Sequence, residues 1–340
     1  QGKRWRAADG AAQVAAEAAA GVPSRPRGRG RGQGRWRQTA RGGRDGERSA
    51  LGHALLRGPL VHFQAAPSYL QDNPFIRTGY RMDLTWKEAA LSVFQLHNES
   101  MNIWTHGLGC LWFLYMALLG SQLSTAEIVP VPVVWWPMRV YHWGAVFCLG
   151  ASTICHSCLS VSRSVSRAVC LLDYVGVAVM ILTSFFPAVY YIFMCRPVLL
   201  SLYLGSVSTL SVLVVYFSTK PWFLENGAAQ VRGMLFSALG LCGSMPLLNA
   251  VWYHWEKEGV WDALHTELIM GACYLGGVAC YMTKWPEVCF PGKFDLFGSS
   301  HQLFHVGVFM GAFFHLKAAY QIFEWRYSPE ADMGVCSPGL

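Results

Sequence analysis

Apolar runs separated by short polar stretches fill the chain from about residue 100 onward. Seven of the runs approach the ~20 residues that a helix needs to cross a bilayer. Their limits are residues 102–123, 138–158, 168–186, 198–217, 234–252, 266–282 and 298–323. Pro187 and Pro221 follow the third and fourth runs and support these limits, because proline breaks helical hydrogen bonding. The pattern predicts an all-α fold, a seven-transmembrane helical bundle.

The composition also predicts a membrane protein. Of the 340 residues, 53% are hydrophobic and only 14% are charged, whereas soluble domains carry about 25% charged residues. The mean hydropathy is +0.28. These values exclude a soluble globular domain, so we expect an integral multipass protein whose first partner is the lipid membrane. They do not distinguish the plasma membrane from an endomembrane.

The excess of positive over negative charge is confined to the N-terminal tail. Residues 1–50 contain 12 Lys and Arg against 4 Asp and Glu, a net of +8, and the remaining residues contain 15 against 16, a net of −1. The tail is rich in Gly and Arg, which predicts a disordered basic segment over residues 1–68. A nucleic-acid-binding arm is the minor alternative, and we expect no nucleic-acid partner. Residues 69–327 form the predicted membrane domain, and 328–340 form a short C-terminal tail.

The loop charges predict the orientation of the bundle. With a cytoplasmic N-terminus, six basic residues lie in inner loops and three in outer loops, as the positive-inside rule favours. The N-terminus is therefore predicted to be cytoplasmic and the C-terminus extracellular or lumenal. The inner residues are Arg163, Arg167, Lys220, Arg232, Lys284 and Lys293, and the outer residues are Arg139, Arg196 and Lys257.

Eight polar side chains lie at the ends of predicted spans, where contact with hydrocarbon is costly. Because the chain crosses back and forth, the starts of spans one, three and seven share one side of the membrane with the end of span two. The eight side chains can therefore meet at one depth. They are Glu99, Asn102 and His106 at the start of span one, Ser152 and His156 at the end of span two, Asp173 near the start of span three, and His301 and His305 at the start of span seven.

Histidines from two of these spans can bind one metal ion. His301 and His305 are four residues apart and share a helical face, and His156 can supply a third nitrogen. Three histidines with an open position are a ligand set of catalytic zinc, although other divalent ions also accept imidazole. The HxxxH pair alone is weak support, because hydrogen bonding between helices is the plainer interpretation. Convergence with Ser152 and Asp173 favours zinc.

The remaining histidines and the cysteines carry no predicted site. The 11 cysteines do not have the spacing of a small secreted disulfide framework, so we expect neither a disulfide scaffold nor a cysteine-built zinc site. The other histidines are expected at surface or interfacial positions: His53, His62, His97, His254 and His265 in tails or loops, and His142 and His315 near the opposite membrane face.

Four stretches follow one another between residues 69 and 327. They are YLQDNPFIRTGYR (69–81) with SVFQLHNESMNIWTHGLG (92–109), STICH (152–156) with LDYVGVAV (172–179), KWPEVCFPGKFDLFGSSHQLFHV (284–306), and FEWRY (323–327). In this order they resemble the progestin and adipoQ receptor family, particularly its adiponectin-receptor-like and plant heptahelical branch. Because the first stretch begins at Tyr69, ahead of the first methionine, Met82, we expect the initiator to lie upstream of Gln1.

The resemblance implies seven helices, a cytoplasmic N-terminus and a zinc ion near the inner leaflet. His156, His301 and His305 match the family's zinc ligands, and Asp173 and Ser152 match residues associated with the metal-bound water. The family resemblance also implies lipid amides of the ceramide type as substrate.

Two classes of function remain open. In a zinc-dependent amidohydrolase, zinc would activate water and polarise a lipid amide, and Asp173 would take and return the proton. Ser152 would hold the water or the carbonyl oxygen, and Glu99, Asn102 and His106 are candidates for supporting the metal ligands. The alternative is a non-enzymatic receptor for an extracellular protein or lipid ligand, or a membrane scaffold, in which the zinc is structural.

Overall fold

The computed structural model describes residues 60–123, 133–225, 227–329, 331 and 336. The regular secondary structure of these residues is helical, and their one extended pairing is an isolated bridge between Val61 and Tyr80. The predicted all-α fold is therefore confirmed for the described chain. The α-helices are α1 Trp86–Ser92, α2 Ser100–Leu123, α3 Trp136–Cys158, α4 Arg163–Phe193, α5 Pro197–Ser218, α6 Ala229–Leu241, α7 Ser244–His254, α8 Glu258–Thr283 and α9 Ser300–Arg326.

Five helical stretches of the described chain are long and apolar enough to cross a membrane. They are Arg163–Phe193, Pro197–Ser218, Ala229–His254, Glu258–Thr283 and Ser300–Arg326. The first two predicted spans correspond to α2 and α3, which are 24 and 23 residues long and fall outside this group.

The third, fifth and sixth predicted spans differ from the structure. Pro187 does not end the third span, because α4 continues through it to Phe193. The fifth span consists of α6 and α7, which are interrupted at Cys242 and Gly243. Pro246 explains this break, since it has no N–H to donate to the carbonyl of Cys242 four residues earlier. The sixth span begins at Glu258 rather than at residue 266.

Helix α9 lies at the centre of the bundle. Half of its most apolar stretch is buried, compared with 17% to 28% for the other four candidate spans. It packs against α8, α4 and α2. Polar side chains on α9 are therefore surrounded by other helices rather than by lipid, which allows them to form sites inside the bundle.

The segment before α1 folds over one end of this bundle. Thr78 and the backbone N–H of Arg77 donate hydrogen bonds to the two carboxylate oxygens of Asp295, at 2.6 and 2.9 Å. Asp295 belongs to the loop between α8 and α9. This end of the bundle, where α9 begins, is thus closed by chain segments far apart in sequence.

The folded chain begins earlier than the predicted limit of the basic tail at residue 68. The backbone N–H of Val61 donates to the carbonyl of Tyr80 at 2.9 Å, and Phe63 donates to that of Arg77 at the same distance. Residues 60–68 therefore belong to the folded domain. Residues 1–59, and with them most of the predicted tail, lie outside the described residues.

One disulfide joins two loops at the opposite end. Cys195, just after α4, is bonded to Cys336, beyond α9, with 5.2 Å between their Cα atoms. The sequence analysis, which expects no disulfide scaffold, does not identify this pair. They are 141 residues apart in sequence, and only the packing of α4 beside α9 brings them together.

Candidate metal centre

Three imidazole rings from α3 and α9 form a cluster inside the bundle. His156 lies in the last turn of α3, and His301 and His305 lie in the first two turns of α9. One nitrogen from each ring falls within 4.8 Å of the others. The Nε2 atoms of His156 and His301 are 3.3 Å apart. The structure thus brings together the three histidines that the sequence analysis selects.

The start of α9 is held in place by a buried carboxylate. Glu287 is fully buried, accepts a hydrogen bond from the backbone N–H of Ser300 at 2.7 Å, and also accepts one from the Ser300 hydroxyl. The amide of Asn73 donates to the same carboxylate at 2.9 Å. Because Ser300 directly precedes His301, these bonds position the first two histidines of α9. Sequence analysis does not identify Glu287, since nothing in its loop marks it as buried.

The end of α3 is held by a buried arginine. Arg81 donates to the carbonyl oxygens of His156 and Ser157, at 2.6 and 3.3 Å, and to the hydroxyl of Ser92. A cation is favourable at this helix end, where backbone carbonyls lack helical partners. Burial lowers the pKa of Arg81 to about 10, so it remains charged at neutral pH. Arg81 thereby fixes the backbone of His156.

Glu99 lies behind the ring of His156. Its Oε2 is 2.7 Å from Nδ1 of His156 and accepts a second hydrogen bond, also of 2.7 Å, from the amide of Asn102. A carboxylate accepts the proton of Nδ1, which leaves the lone pair of Nε2 directed at the other two histidines. Glu99 and Asn102 therefore lie where residues that support a metal ligand are found.

His106 contacts the cluster from α2 without joining the group of three. Its ring stacks on that of His305 with 3.8 Å between centroids. Its Nε2 is 3.2 Å from the carbonyl oxygen of His305 and donates to it. His106 thus supports the position of His305.

Ser152 and Asp173 lie beside the cluster. Ser152 is buried one turn before His156 on α3. Its side chain interacts with the carboxylate of Asp173, which also lies close enough to His156 for their charges to interact. Asp173 is not one of the grouped ligands. A hydroxyl and a carboxylate therefore adjoin the three imidazoles.

A large cavity connects these groups with the interior of the bundle. Its volume is about 910 Å³, and its wall between α4 and α9 includes Val177, Met180, Ile181 and Val308. The space is large enough for a lipid chain. Every predicted site residue lines it: Glu99, Asn102, His106, Ser152, His156, Asp173, His301 and His305.

The donor set fits a zinc ion. Two nitrogen ligands on a tetrahedral zinc, each about 2.0–2.1 Å from the metal, are about 3.3 Å apart, and the Nε2 atoms of His156 and His301 have that spacing. His305 supplies a third ring nitrogen within 4.8 Å of the other two. Two facing imidazole lone pairs repel each other unless a cation or a proton lies between them. The residues present therefore suit a metal ion with nitrogen ligands.

Several other side chains lie elsewhere than the sequence analysis predicts. His97, His142 and His315 are buried, with at most 5% of each exposed, and are not surface residues. Arg232 is also buried rather than a free loop charge; it donates to the hydroxyl of Tyr281 at 3.0 Å and lines the cavity. Their local sequences give no sign of burial, because the neighbours that enclose them come from distant parts of the chain.

Comparison with known proteins agrees with this architecture. The Haemolysin-III related family model matches residues 94–316, which include every predicted site position. Heptahelical transmembrane protein 1 of Arabidopsis thaliana is 34% identical over 284 residues, 80% of this chain and 83% of that protein. Adiponectin receptor protein of Drosophila melanogaster is 34% identical over 269 residues, 78% of this chain and 60% of that protein. Progestin and adipoQ receptor-like protein 1 of Caenorhabditis elegans is 34% identical over 265 residues, 76% of this chain and 60% of that protein.

Proposed function

This chain is an integral multipass membrane protein of the Haemolysin-III related family, and we propose that it is an adiponectin-receptor-like protein that hydrolyses lipid amides at a zinc site. The proposed ligands are His156, His301 and His305. The proposed substrate is a ceramide-like amide, whose acyl chain occupies the cavity. The proposal includes seven membrane-spanning segments, formed by α2 to α5, the α6–α7 pair, α8 and α9.

The histidine cluster carries this proposal. Three imidazoles within 4.8 Å of one another, of which His156 and His305 are buried and His301 is half-buried, are unfavourable neighbours unless they share a cation. Three protein ligands leave one coordination position open, which is typical of catalytic rather than structural zinc. The cluster also lies in the wall of a cavity of about 910 Å³. A site that opens into lipid-sized space inside a membrane selects substrates that partition into the bilayer.

The protein's own residues have distinct roles in this chemistry. Zinc, when bound, would supply Lewis acidity and lower the pKa of water. Asp173 accepts a proton from the attacking water and returns it to the amide nitrogen that leaves. Ser152 interacts with Asp173 and orients either the water or the carbonyl oxygen. Glu99 holds the ring of His156, and the apolar cavity wall excludes bulk water from the acyl chain.

The proposed orientation places the histidine cluster near the cytoplasmic side. Cys195 and Cys336 lie beyond the ends of α4 and α9 that are remote from the cluster. Disulfides persist in oxidising compartments and are rare in the cytosol. The disulfide therefore supports an extracellular or lumenal position for that end, in agreement with the loop charges.

A receptor without hydrolytic activity, or a scaffold with structural zinc, is the second candidate. The name of the Drosophila relative, adiponectin receptor protein, favours a receptor. In that case an extracellular protein or lipid ligand would change the arrangement of the helices, and the zinc would hold α3 to α9.

The test combines metal analysis with an assay for fatty acid release from ceramide. Purified wild type is expected to contain about one zinc ion per chain and to release fatty acid. Asp173→Asn should keep the zinc and lose turnover, whereas His301→Ala should lose the zinc. Full hydrolysis by Asp173→Asn would remove the proposed base. Bound zinc in a wild type that hydrolyses no lipid amide would favour the receptor or scaffold.

A further inference from the structure

A second polar pair lies deep in the bundle, away from the histidine cluster. Nδ1 of His315 on α9 is 2.9 Å from Oε1 of Glu267 on α8. Nε2 of His315 is 2.9 Å from the carbonyl oxygen of Ser184 on α4. A carbonyl only accepts hydrogen bonds, so Nε2 carries a proton and both ring nitrogens are occupied. His315 is thus fully engaged in linking three helices.

Glu267, in contrast, has unused capacity to accept hydrogen bonds. The residue is only 8% exposed. Its Oε1 lies 2.9 Å from Nδ1 of His315, which occupies one of the roughly four lone-pair sites of the carboxylate. An unfilled acceptor on a buried carboxylate is costly in an apolar interior. Glu267 can therefore accept a further hydrogen bond from a group in the cavity.

The pair faces the same cavity as the histidine cluster. Glu267, His315 and Ser184 line its far end, and the residues between the two polar ends include Met180, Ile181 and Val308. His305 and His315 are ten residues apart on α9, which corresponds to about 15 Å at 1.5 Å per residue. The cavity thus has a polar group at each end and an apolar wall between them.

We propose that Glu267 and His315 form a second polar subsite, which binds a hydroxyl group on the distal part of a lipid acyl chain. The inference rests on the proposed function for one assumption, that the head group of the lipid lies at the histidine cluster. The hydroxyl donates to the carboxylate of Glu267, and His315 holds that carboxylate in place. The ligand class is a long-chain lipid with a hydroxyl about 15 Å from its head group, the spacing of the two cavity ends.

The pair also has a structural role, since it joins α4, α8 and α9 beside Pro187. A purely structural pair would make no difference to which lipid binds. The experiment therefore measures preference between lipids rather than stability. It measures binding rather than hydrolysis, so its outcome is separable from that of the ceramide assay.

The full-length protein in nanodiscs is titrated with three octadecanoates that displace a fluorescent fatty acid. One is unsubstituted, one carries a hydroxyl on carbon twelve, and one carries a hydroxyl on carbon two. Wild type is expected to bind the carbon-twelve isomer about five- to tenfold more tightly than the other two, the factor expected from one added hydrogen bond. Glu267→Gln should bind all three about equally. Glu324→Gln, the same change at an exposed position of the neighbouring helix α9, should keep the wild-type preference.

Equal binding of the three lipids by wild type would overturn the inference, and this result does not depend on any variant folding. An unchanged preference in Glu267→Gln would also overturn it, provided that this variant binds unsubstituted octadecanoate as wild type does. Loss of the preference in Glu267→Gln alone, with retained binding of the unsubstituted lipid, supports it.

Discussion

The carboxylate of Glu99 lies 2.7 Å from Nδ1 of His156, although 57 residues separate them in sequence. The contact holds the imidazole ring in one orientation and in one tautomer. Its other nitrogen, Nε2, then faces His301 at 3.3 Å. A carboxylate behind a metal-binding imidazole usually increases both the basicity and the order of the ligand.

Replacing Glu99 with glutamine should therefore weaken metal binding without removing a ligand. Zinc affinity is expected to fall about 10- to 100-fold, measured by competition with a chromogenic chelator. Asp262→Asn, at an exposed position of α8, is the matched control and should retain wild-type affinity. Unchanged affinity in Glu99→Gln would show that Glu99 does not support the ligand.

Arg81 should prove essential to the end of α3. In Arg81→Met, the carbonyls of His156 and Ser157 lose a charged donor, so the variant should be about 2–3 kcal/mol less stable. Denaturant unfolding in mixed micelles measures the change. Arg139→Met, which alters an exposed arginine at the other end of the same helix, should differ little from wild type. Equal losses in both variants would argue against a capping role for Arg81.

His97 should make the stability of the fold depend on pH. It is fully buried, its Nε2 donates to the carbonyl of Ser92, and its Nδ1 accepts from the N–H of Glu99. Burial, aided by the nearby charge of Arg81, lowers the pKa of His97 to about 3. The ordinary value is about 6.5, so only the unfolded chain takes up the proton as the pH falls below that value.

The free energy of unfolding should therefore decrease between about pH 6.5 and pH 3, by up to about 1.4 kcal/mol per pH unit from this residue. His97→Gln does not titrate and should show a shallower dependence, measured as unfolding midpoints over a pH series. The exposed His62 provides the control, because His62→Gln should keep the wild-type slope. Identical slopes for all three proteins would contradict the assignment.

Metal removal should lower stability through the same cluster. A ligand that binds only the folded state stabilises it by mass action, so a chelator should reduce the melting temperature of wild type. His301→Ala, which lacks one proposed ligand, should melt at the same temperature with and without chelator. An equal chelator effect on both proteins would place the responsible metal elsewhere.

The disulfide should identify the exoplasmic end of the protein. With epitope tags at both termini, protease added to sealed microsomes should digest the N-terminal tag and leave the C-terminal tag protected. Peptide mapping without reductant should recover Cys195 and Cys336 in one cross-linked product, which Cys195→Ser abolishes. Digestion of the C-terminal tag in intact microsomes would reverse the proposed orientation.

The sequence by itself determined that the chain is helical and which residues lie at similar depths. Long apolar runs indicate membrane-spanning helices, because backbone N–H and C=O groups inside a bilayer must bond to each other. The i, i+4 spacing places His301 and His305 on one helical face. Chain parity adds His156, Ser152 and Asp173 at the same end. These arguments need only the order of residues and the thickness of a membrane.

Only the tertiary structure decided which side chains touch. The contacts of Glu99 with His156, Arg81 with the end of α3, Glu267 with His315, and Cys195 with Cys336 all join segments that are distant in the chain. It also decided that α4 continues through Pro187 while the helix before Pro246 breaks. Helical periodicity indicates the face on which a residue lies. The residue that it contacts depends on how the helices rotate and pack against one another, which short stretches of sequence do not specify.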